Sequence, residues 1–298
     1  MMPNSIEELA EALGIDAAHL ADLAATANSR YRYHTIPKAN GTRRPLAEPG
    51  RDLKAIQRRL LDRVLNGVPL HPAATAYHRG ASVVANASQH VGRSFVFSTD
   101  LVSFFPSVTE PRVKGLVLAL GAPADVAPVI AKLTCFRGRL AQGAPSSPAI
   151  ANLAARRLDL RIAGFCGRRG WHYTRYADDL TISGDGRFGQ RDLDWVIRCV
   201  EQEGFEVNEP KTRLAQRHQA QVVTGVSVNG RCRLPREQRR KLRAMFHQAS
   251  DDPAALGDRV EELRGHLGWL RAVEPGSSDL AEYERVVAEV LSVRAANW

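Results

Sequence analysis

The chain has 298 residues, 41 lysines and arginines against 32 acidic residues, a formal net charge of +9, 44% apolar residues and 24% charged ones. This is the composition of an ordinary globular protein, one large domain or two modest ones, with apolar runs too short to cross a membrane. Residues 1–8 lack the basic and apolar pattern of a signal peptide, so a cytoplasmic location is expected, and a pI near 9.8 favours a polyanionic partner.

Residues 5–27 read as a helix or helix pair, with Leu9, Leu13, Leu20 and Leu23 near helical spacing and Gly14 dividing them. Residues 31–49 are extended, basic and turn-rich. A helix is expected over 53–65, its face formed by Ile56, Leu60, Leu61 and Val64. Residues 69–92 mix Gly, Pro, His and Ala around a short helix at 82–90, and a strand then runs from Ser94 to Asp100. A helix at 111–120, a short hairpin edge at 135–140 and a helix at 148–165 follow.

Two β-favouring runs, 171–176 and 180–183, flank Ala177-Asp178-Asp179 and predict a hairpin with two carboxylates at its turn. A helix over 191–203 is ended by Gly204. Strands are expected at 205–207 and 222–228, then three helical segments at 235–249, 253–272 and 278–295. Strands and helices alternating before residue 230, with an all-helical tail, predict an α+β body with a helical appendage. The divisions are 1–29, 30–232 and 233–298.

Adjacent unpaired carboxylates repel, and a short hairpin has no use for them. A hard divalent cation resolves the conflict, since Mg²⁺ is held by one or two carboxylates plus substrate phosphates. Asp100, at the end of its own strand, offers a third ligand. The four cysteines, Cys135, Cys166, Cys199 and Cys232, form no C-x-x-C pair and read as reduced structural thiols.

Between the aspartate elements lies Gln142-Gly143-Ala144-Pro145-Ser146-Ser147-Pro148, a loop that opens a helix and so borders any phosphate in the cleft. Gly204-Phe205-Glu206-Val207-Asn208 and the following Lys211 supply a lysine-bearing loop. Lys38 through Pro45 is a basic loop suited to a triphosphate.

In this order the segments resemble reverse transcriptases: a fingers motif at 38–49, FSTDLVSFFPS at 97–107, QGAPSSP, YADD at 176–179 and GFEVNEPKT at 204–212. Asn86-Ala87-Ser88-Gln89-His90 and Val223-Thr224-Gly225 resemble the N-A-x-x-H and V-T-G elements of retron reverse transcriptases. The resemblance implies a right-hand polymerase of fingers and palm with a C-terminal helical thumb. Such an enzyme copies part of a cognate structured non-coding RNA into branched, RNA-linked single-stranded DNA from dNTPs, priming at a 2′-hydroxyl. A separate effector protein and a part in anti-phage defence are further implications.

It also assigns roles. Asp100, Asp178 and Asp179, with the Leu101 carbonyl, hold two Mg²⁺ ions about 4 Å apart. Asp100 and Asp178 are the direct bridging ligands, with Asp179 supporting them electrostatically or through water. Lys38 and Arg44 take the β- and γ-phosphates, Phe105 excludes a ribose 2′-hydroxyl, Gln142 meets the templating or incoming nucleotide, and Lys211 serves the pyrophosphate. Asn86, His90, Thr224 and Gly225 are RNA or DNA contacts. So are Arg236, Arg239, Arg240 and Arg243, one basic stripe at i, i+3, i+4 and i+7, backed by Leu242, Met245 and Phe246.

Three other readings compete. A group II intron-type enzyme usually carries a longer N-terminal extension and a region beyond the thumb. A diversity-generating enzyme normally alters the QGxxxSP motif, intact here. A polymerase-like RNA-binding scaffold without catalysis has no need of three aspartates.

Overall fold

The computed structural model describes residues 2–37, 41–254 and 257–296. Helices α1 (Ile6–Leu13) and α2 (Ala17–Thr26) are each opened by a side-chain cap, Ser5 accepting from the Glu8 amide and Asp16 from the His19 amide. Gly14 ends α1 in the left-handed region at φ 66°, so the expected division is where the sequence puts it. Strands β1 (Tyr31–Pro37) and β2 (Arg43–Pro49) form an antiparallel hairpin. Lys38 lies outside the described residues. Helix α3 (Arg51–Leu60) runs on into a π-helical turn at Leu61–Leu65.

Helix α4 (Val83–Ser88), capped by the Ser82 hydroxyl, leads to β3 (Phe95–Asp100). After α5 (Phe104–Ser107) and α6 (Glu110–Ala119) comes a helix the sequence reading missed, α7 (Val126–Thr134). Pro128 concealed it. In a first turn, however, the missing amide is one that no helix would bond anyway. Strands β4 (Cys135–Phe136) and β5 (Arg139–Leu140) are the expected hairpin edge. The single helix expected at 148–165 is two, α8 (Ser147–Ala154) and α9 (Arg156–Gly167), with Ala155 between them at ψ near 0°.

The aspartate hairpin is β6 (His172–Tyr176) and β7 (Asp179–Gly184), followed by α10 (Gln190–Gln202). Residues 205–207 are not a strand; only Val207 bridges to Leu101. The strand in this region is instead β8 (Arg213–Gln216), which pairs with β3. The run 222–228 is broken into β9 (Val222–Val223) and β10 (Val226–Ser227) by a turn at Thr224 and Gly225. The tail holds α11 (Arg236–Asp251), α12 (Val260–Val273) and α13 (Leu280–Ala296), α12 beginning later than expected.

The central sheet is antiparallel, in the order β6-β7-β3-β8. Phe95, Phe97, Leu180 and Ile182 on one face pack with α9 and α10, and the leucines of α1 and α2 join the same core. Val96 points to the other face and joins a second core of β9, β10 and the C-terminal helices, where Phe246 stacks on Tyr283 with ring centroids 3.9 Å apart. The fold is thus α+β with antiparallel sheets. No described helix is long and apolar enough to cross a membrane. All four cysteines are free thiols, and burial pushes Cys135 and Cys166 up to about 12.

Candidate active site

Strand register builds the site. β3 and β7 run antiparallel with Asp100 directly opposite Asp179, and β6 pairs Tyr176 with Asp179 across the hairpin. The turn between them is tight: Ala177 sits at φ 60°, and the Asp178 carbonyl accepts the Leu101 amide at 2.9 Å. Residues far apart in the chain therefore meet at one end of the sheet. Beyond Asp100 the chain is held by its own loop, with the Val102 amide on the Glu206 carbonyl and the Asn208 amide on the Asp100 carbonyl, each at 2.8 Å.

Three carboxylates this close in a half-buried place disturb one another. Burial raises Asp178 above the usual carboxylate range, the charge of Asp100 adds to the shift, and Lys211 and Arg44 oppose it. Burial, hydrogen bonding to Asp100 and the charge of Asp178 together push Asp179 up to about 7. Lys211 is ion-paired through Nζ to Asp100 Oδ2. Its loop is fastened to β3 by the Thr99 and Thr212 hydroxyls, 2.7 Å apart.

The expected three-aspartate metal cage is not closed. Among the described residues no group of three His, Cys, Asp or Glu side chains stands ready to encircle a cation. The donor chemistry still suits a hard cation, since every candidate is an oxygen and the carboxylates hold negative charge they cannot share with one another. Mg²⁺ is commonly held by only one or two carboxylates, with substrate phosphates and water completing its octahedron.

A cleft of about 300 Å³ is lined by Lys54, Tyr77 and Phe105 and by Ala141, Gly143, Ala144, Pro145, Ser147 and Pro148 of the loop that opens α8; Tyr77 ties it to the aspartates through the nearby Asp178 charge. Phe105 is half-buried against Phe104 and Tyr77, the latter with ring centroids 6.0 Å apart. The loop is locked to the β1–β2 hairpin, since the Gln142 carbonyl accepts the Ala47 amide at 2.8 Å. Gly143 has φ 120°, and a Cβ there would meet the Ala47 carbonyl oxygen at 3.1 Å, so only glycine fits. Ser146 and Ser147 at the start of α8 are buried with hydroxyl oxygens that find no partner among the described residues. Orphaned polar atoms beside a helix N-terminus suit a phosphate or base edge.

Several of these residues were not foreseen. Tyr77 is exposed at the cleft mouth in a left-handed backbone, φ 63°, which is rare for an aromatic residue. Burial raises its pKa, and the nearby Asp178 adds to the shift. Beneath it lies a buried polar cluster. Arg175 clasps Asp159 and bonds Asn152 Oδ1 and the Ala177 carbonyl, each at 2.9 Å, while Asn152 donates to the Ala76 carbonyl at 2.9 Å. An arginine inside a strand pattern and an aspartate on an otherwise apolar helix face were the available signals.

The remaining expected contacts divide in two. Arg236, Arg239, Arg240 and Arg243 do gather, lining one shallow basic cavity on α11, with Leu242 and Phe246 buried behind them. Asn86 and His90 do not face solvent at all: both are buried, the imidazole between the Ser183 and Thr174 hydroxyls at 2.7 Å each. The expectation that they contact nucleic acid gives way to an internal role, because no surface of either is exposed. Thr224 and Gly225 form the β9–β10 turn, at φ 46° and 82°.

Residues 36–228 match the reverse transcriptase (RNA-dependent DNA polymerase) family. The chain is 42% identical over 289 residues to the retron Mx65 reverse transcriptase of Myxococcus xanthus, covering 89% of this chain and 66% of that protein. It is 33% identical over 278 residues to the retron Ec86 reverse transcriptase of Escherichia coli, covering 92% of this chain and 86% of that protein. Against the retron Mx162 reverse transcriptase of Myxococcus xanthus it is 36% identical over 312 residues, covering 91% of this chain and 64% of that protein.

Proposed function

The chain belongs to the retron reverse transcriptases, a family of RNA-directed DNA polymerases, and from that premise we propose that it copies part of a cognate structured RNA into DNA that stays joined to it through a 2′-hydroxyl. The observation that carries this reading is the register that sets Asp100 opposite Asp179, with Asp178 bonded to Leu101 and its charge felt by Tyr77, a residue of the neighbouring cleft. The β1–β2 hairpin serves as fingers, the four-stranded sheet as palm and α11–α13 as thumb.

Asp100, Asp178, Asp179 and the Leu101 carbonyl are the groups that would hold the magnesium ions, with Asp100 and Asp178 as the direct ligands. When bound, the pair of ions lowers the pKa of the attacking hydroxyl and neutralises the leaving pyrophosphate. The protein's own groups orient the reactants. Phe105 and Tyr77 wall the cleft where the incoming sugar sits, so that Phe105 meets a 2′-hydroxyl. Arg44, close enough to bias Asp178, takes the triphosphate together with Lys38. Gln142 and the Ser146–Ser147 turn face the base pair being formed. Lys211 neutralises Asp100 in the absence of metal and would be free to give a proton to pyrophosphate once a cation took that carboxylate. The α11 arginines grip the template–product duplex by its phosphates. A separate effector protein and a part in defence against phage complete the reading.

The test is Mg²⁺-dependent dNTP incorporation on an RNA template with an annealed primer. Incorporation is expected from the native chain and none from Asp178→Asn, with binding of the primed RNA retained in both. An active Asp178→Asn variant overturns the ligand assignment, and an inert native chain overturns the polymerase reading.

A further inference from the structure

Asn86, His90 and Thr224 do not line the cleft; Asn86 and Thr224 are bonded to each other, and His90, four residues beyond Asn86, ties the end of the same segment to the palm sheet. The His90 ring reaches Thr174 on β6 and Ser183 on β7, so a single side chain spans two strands of the palm. Its neighbour Gln89 pairs with His172 at 3.0 Å. The opposite side of α4 faces elsewhere: Ala87 is buried in the thumb core, with Val84 and Val91 packed against it. Helix α4 is therefore a wedge, one side pinned to the catalytic sheet and the other forming the floor of the thumb.

Thr224 fastens that wedge. It occupies the first position of a two-residue hairpin turn with both residues at positive φ, a geometry that asparagine and glycine adopt easily and a β-branched residue resists. Its hydroxyl donates to the Val83 carbonyl at 3.2 Å and accepts from Asn86 Nδ2 at 3.4 Å. The other side of Asn86 accepts from the Thr75 hydroxyl at 2.8 Å, and the Thr75 amide donates to the Arg175 carbonyl at 2.9 Å. The chain of contacts therefore runs from the thumb's base turn to the strand that carries the aspartate hairpin.

We propose that Asn86, His90 and Thr224 are positioning residues that seat the thumb on the palm sheet, and that they set how long the enzyme holds its duplex rather than how fast it adds a nucleotide. This rests on the polymerase reading above. Asn86 and His90 are buried, and none of the three side chains lines the cleft. Their loss loosens the floor on which the basic α11 stripe stands, leaving Asp100, Asp178 and Asp179 in register.

The experiment compares Thr224→Val, which removes only the hydroxyl, with Thr224→Ser, which keeps it, and with Asn86→Ala, which cuts the same link from the helix side. Three quantities are read on an RNA–DNA duplex: product length per encounter in the presence of a trap, duplex Kd, and the rate of the first addition at saturating duplex. Thr224→Val and Asn86→Ala are expected to shorten products and raise Kd by about three- to tenfold, the scale of one lost hydrogen bond, with the first-addition rate within about twofold. Thr224→Ser is expected to restore native values.

Unchanged product length in Thr224→Val, a first-addition rate that falls in step with product length, or a Ser variant as impaired as Val would each overturn the proposal. Unfolding of both the Val and Ala variants would overturn it too, since the residues would then be merely structural. A native chain that incorporates nothing would instead refute the polymerase reading.

Discussion

Arg175 and Asp159 form an ion pair in which neither side chain has any solvent exposure, Nη2 standing 2.7 Å from Oδ2 and Nε 2.9 Å from Oδ1. Tyr173 adds its hydroxyl to the same carboxylate at 2.9 Å. Because Arg175 also holds the Ala177 carbonyl, the pair fixes the left-handed residue that turns Asp178 toward Asp100. Arg175→Met should destabilise the fold by about 3–5 kcal/mol, since it strands a buried carboxylate, and nucleotide addition should fall with it. Replacing both partners, Arg175→Met with Asp159→Leu, should recover part of that stability without the activity. Urea unfolding of the single and double variants measures both.

Phe105 and Tyr77 both line the cleft and pack ring against ring, so truncating each should separate their roles. Phe105→Ala should raise use of ribonucleotides relative to deoxynucleotides by about tenfold or more, the scale on which a pocket wall discriminates small groups. Tyr77→Ala should instead raise KM for both. Steady-state kinetics with matched dNTP and rNTP pairs would show it, and an unchanged ratio in Phe105→Ala would return that ring to simple packing.

His90 gives the fold an acid limit. Burial first, and then the neighbouring His172 and Arg93, push its pKa down to about 3, so the folded protein keeps it neutral while the unfolded chain protonates it near 6.5. Between those values the unfolded state binds the extra proton, so this contribution is complete above about pH 6.5 and is lost as pH falls, by up to about 1.4 kcal/mol per unit. His90→Gln should be less stable at pH 8 yet lose less on acidification. Thermal melts from pH 8 to pH 4 would reveal parallel slopes if the imidazole were not responsible.

The α11 stripe should act through charge alone. Each of Arg236→Ala, Arg240→Ala and Arg243→Ala is expected to weaken duplex binding regardless of sequence and to lower the slope of log K against log salt by about 1. Binding titrations from low to moderate salt supply the slope. An unchanged slope would mean that these arginines meet water rather than phosphate.

What the sequence disclosed followed from local pattern. The β6–β7 hairpin was legible because aromatic and alternating runs flank its turn, and α1, α2 and α10 because their apolar spacing is regular. Helix α7 was hidden by Pro128, and β8 by Arg213 and Gln216, which carry no β signature and pair only because β3 needs a partner on that edge. The three aspartates were found by residue type, while the Lys211–Asp100 pair and the open metal shell depend on tertiary placement. Asn86 and His90 were misassigned for a related reason: a short polar motif says nothing about burial. Tyr77 was overlooked because its left-handed backbone exists only once Asn152 holds Ala76.

Because β3 lies beside β7 rather than beside any strand made before it, a growing polypeptide carries Asp100 out of the ribosome with no partner strand to receive it. The pairing is long-range and slow to form. The three aspartates therefore cannot come together before the hairpin at 172–184 has been made and docked on β3, and the segment through β8 must follow before that edge of the sheet is complete.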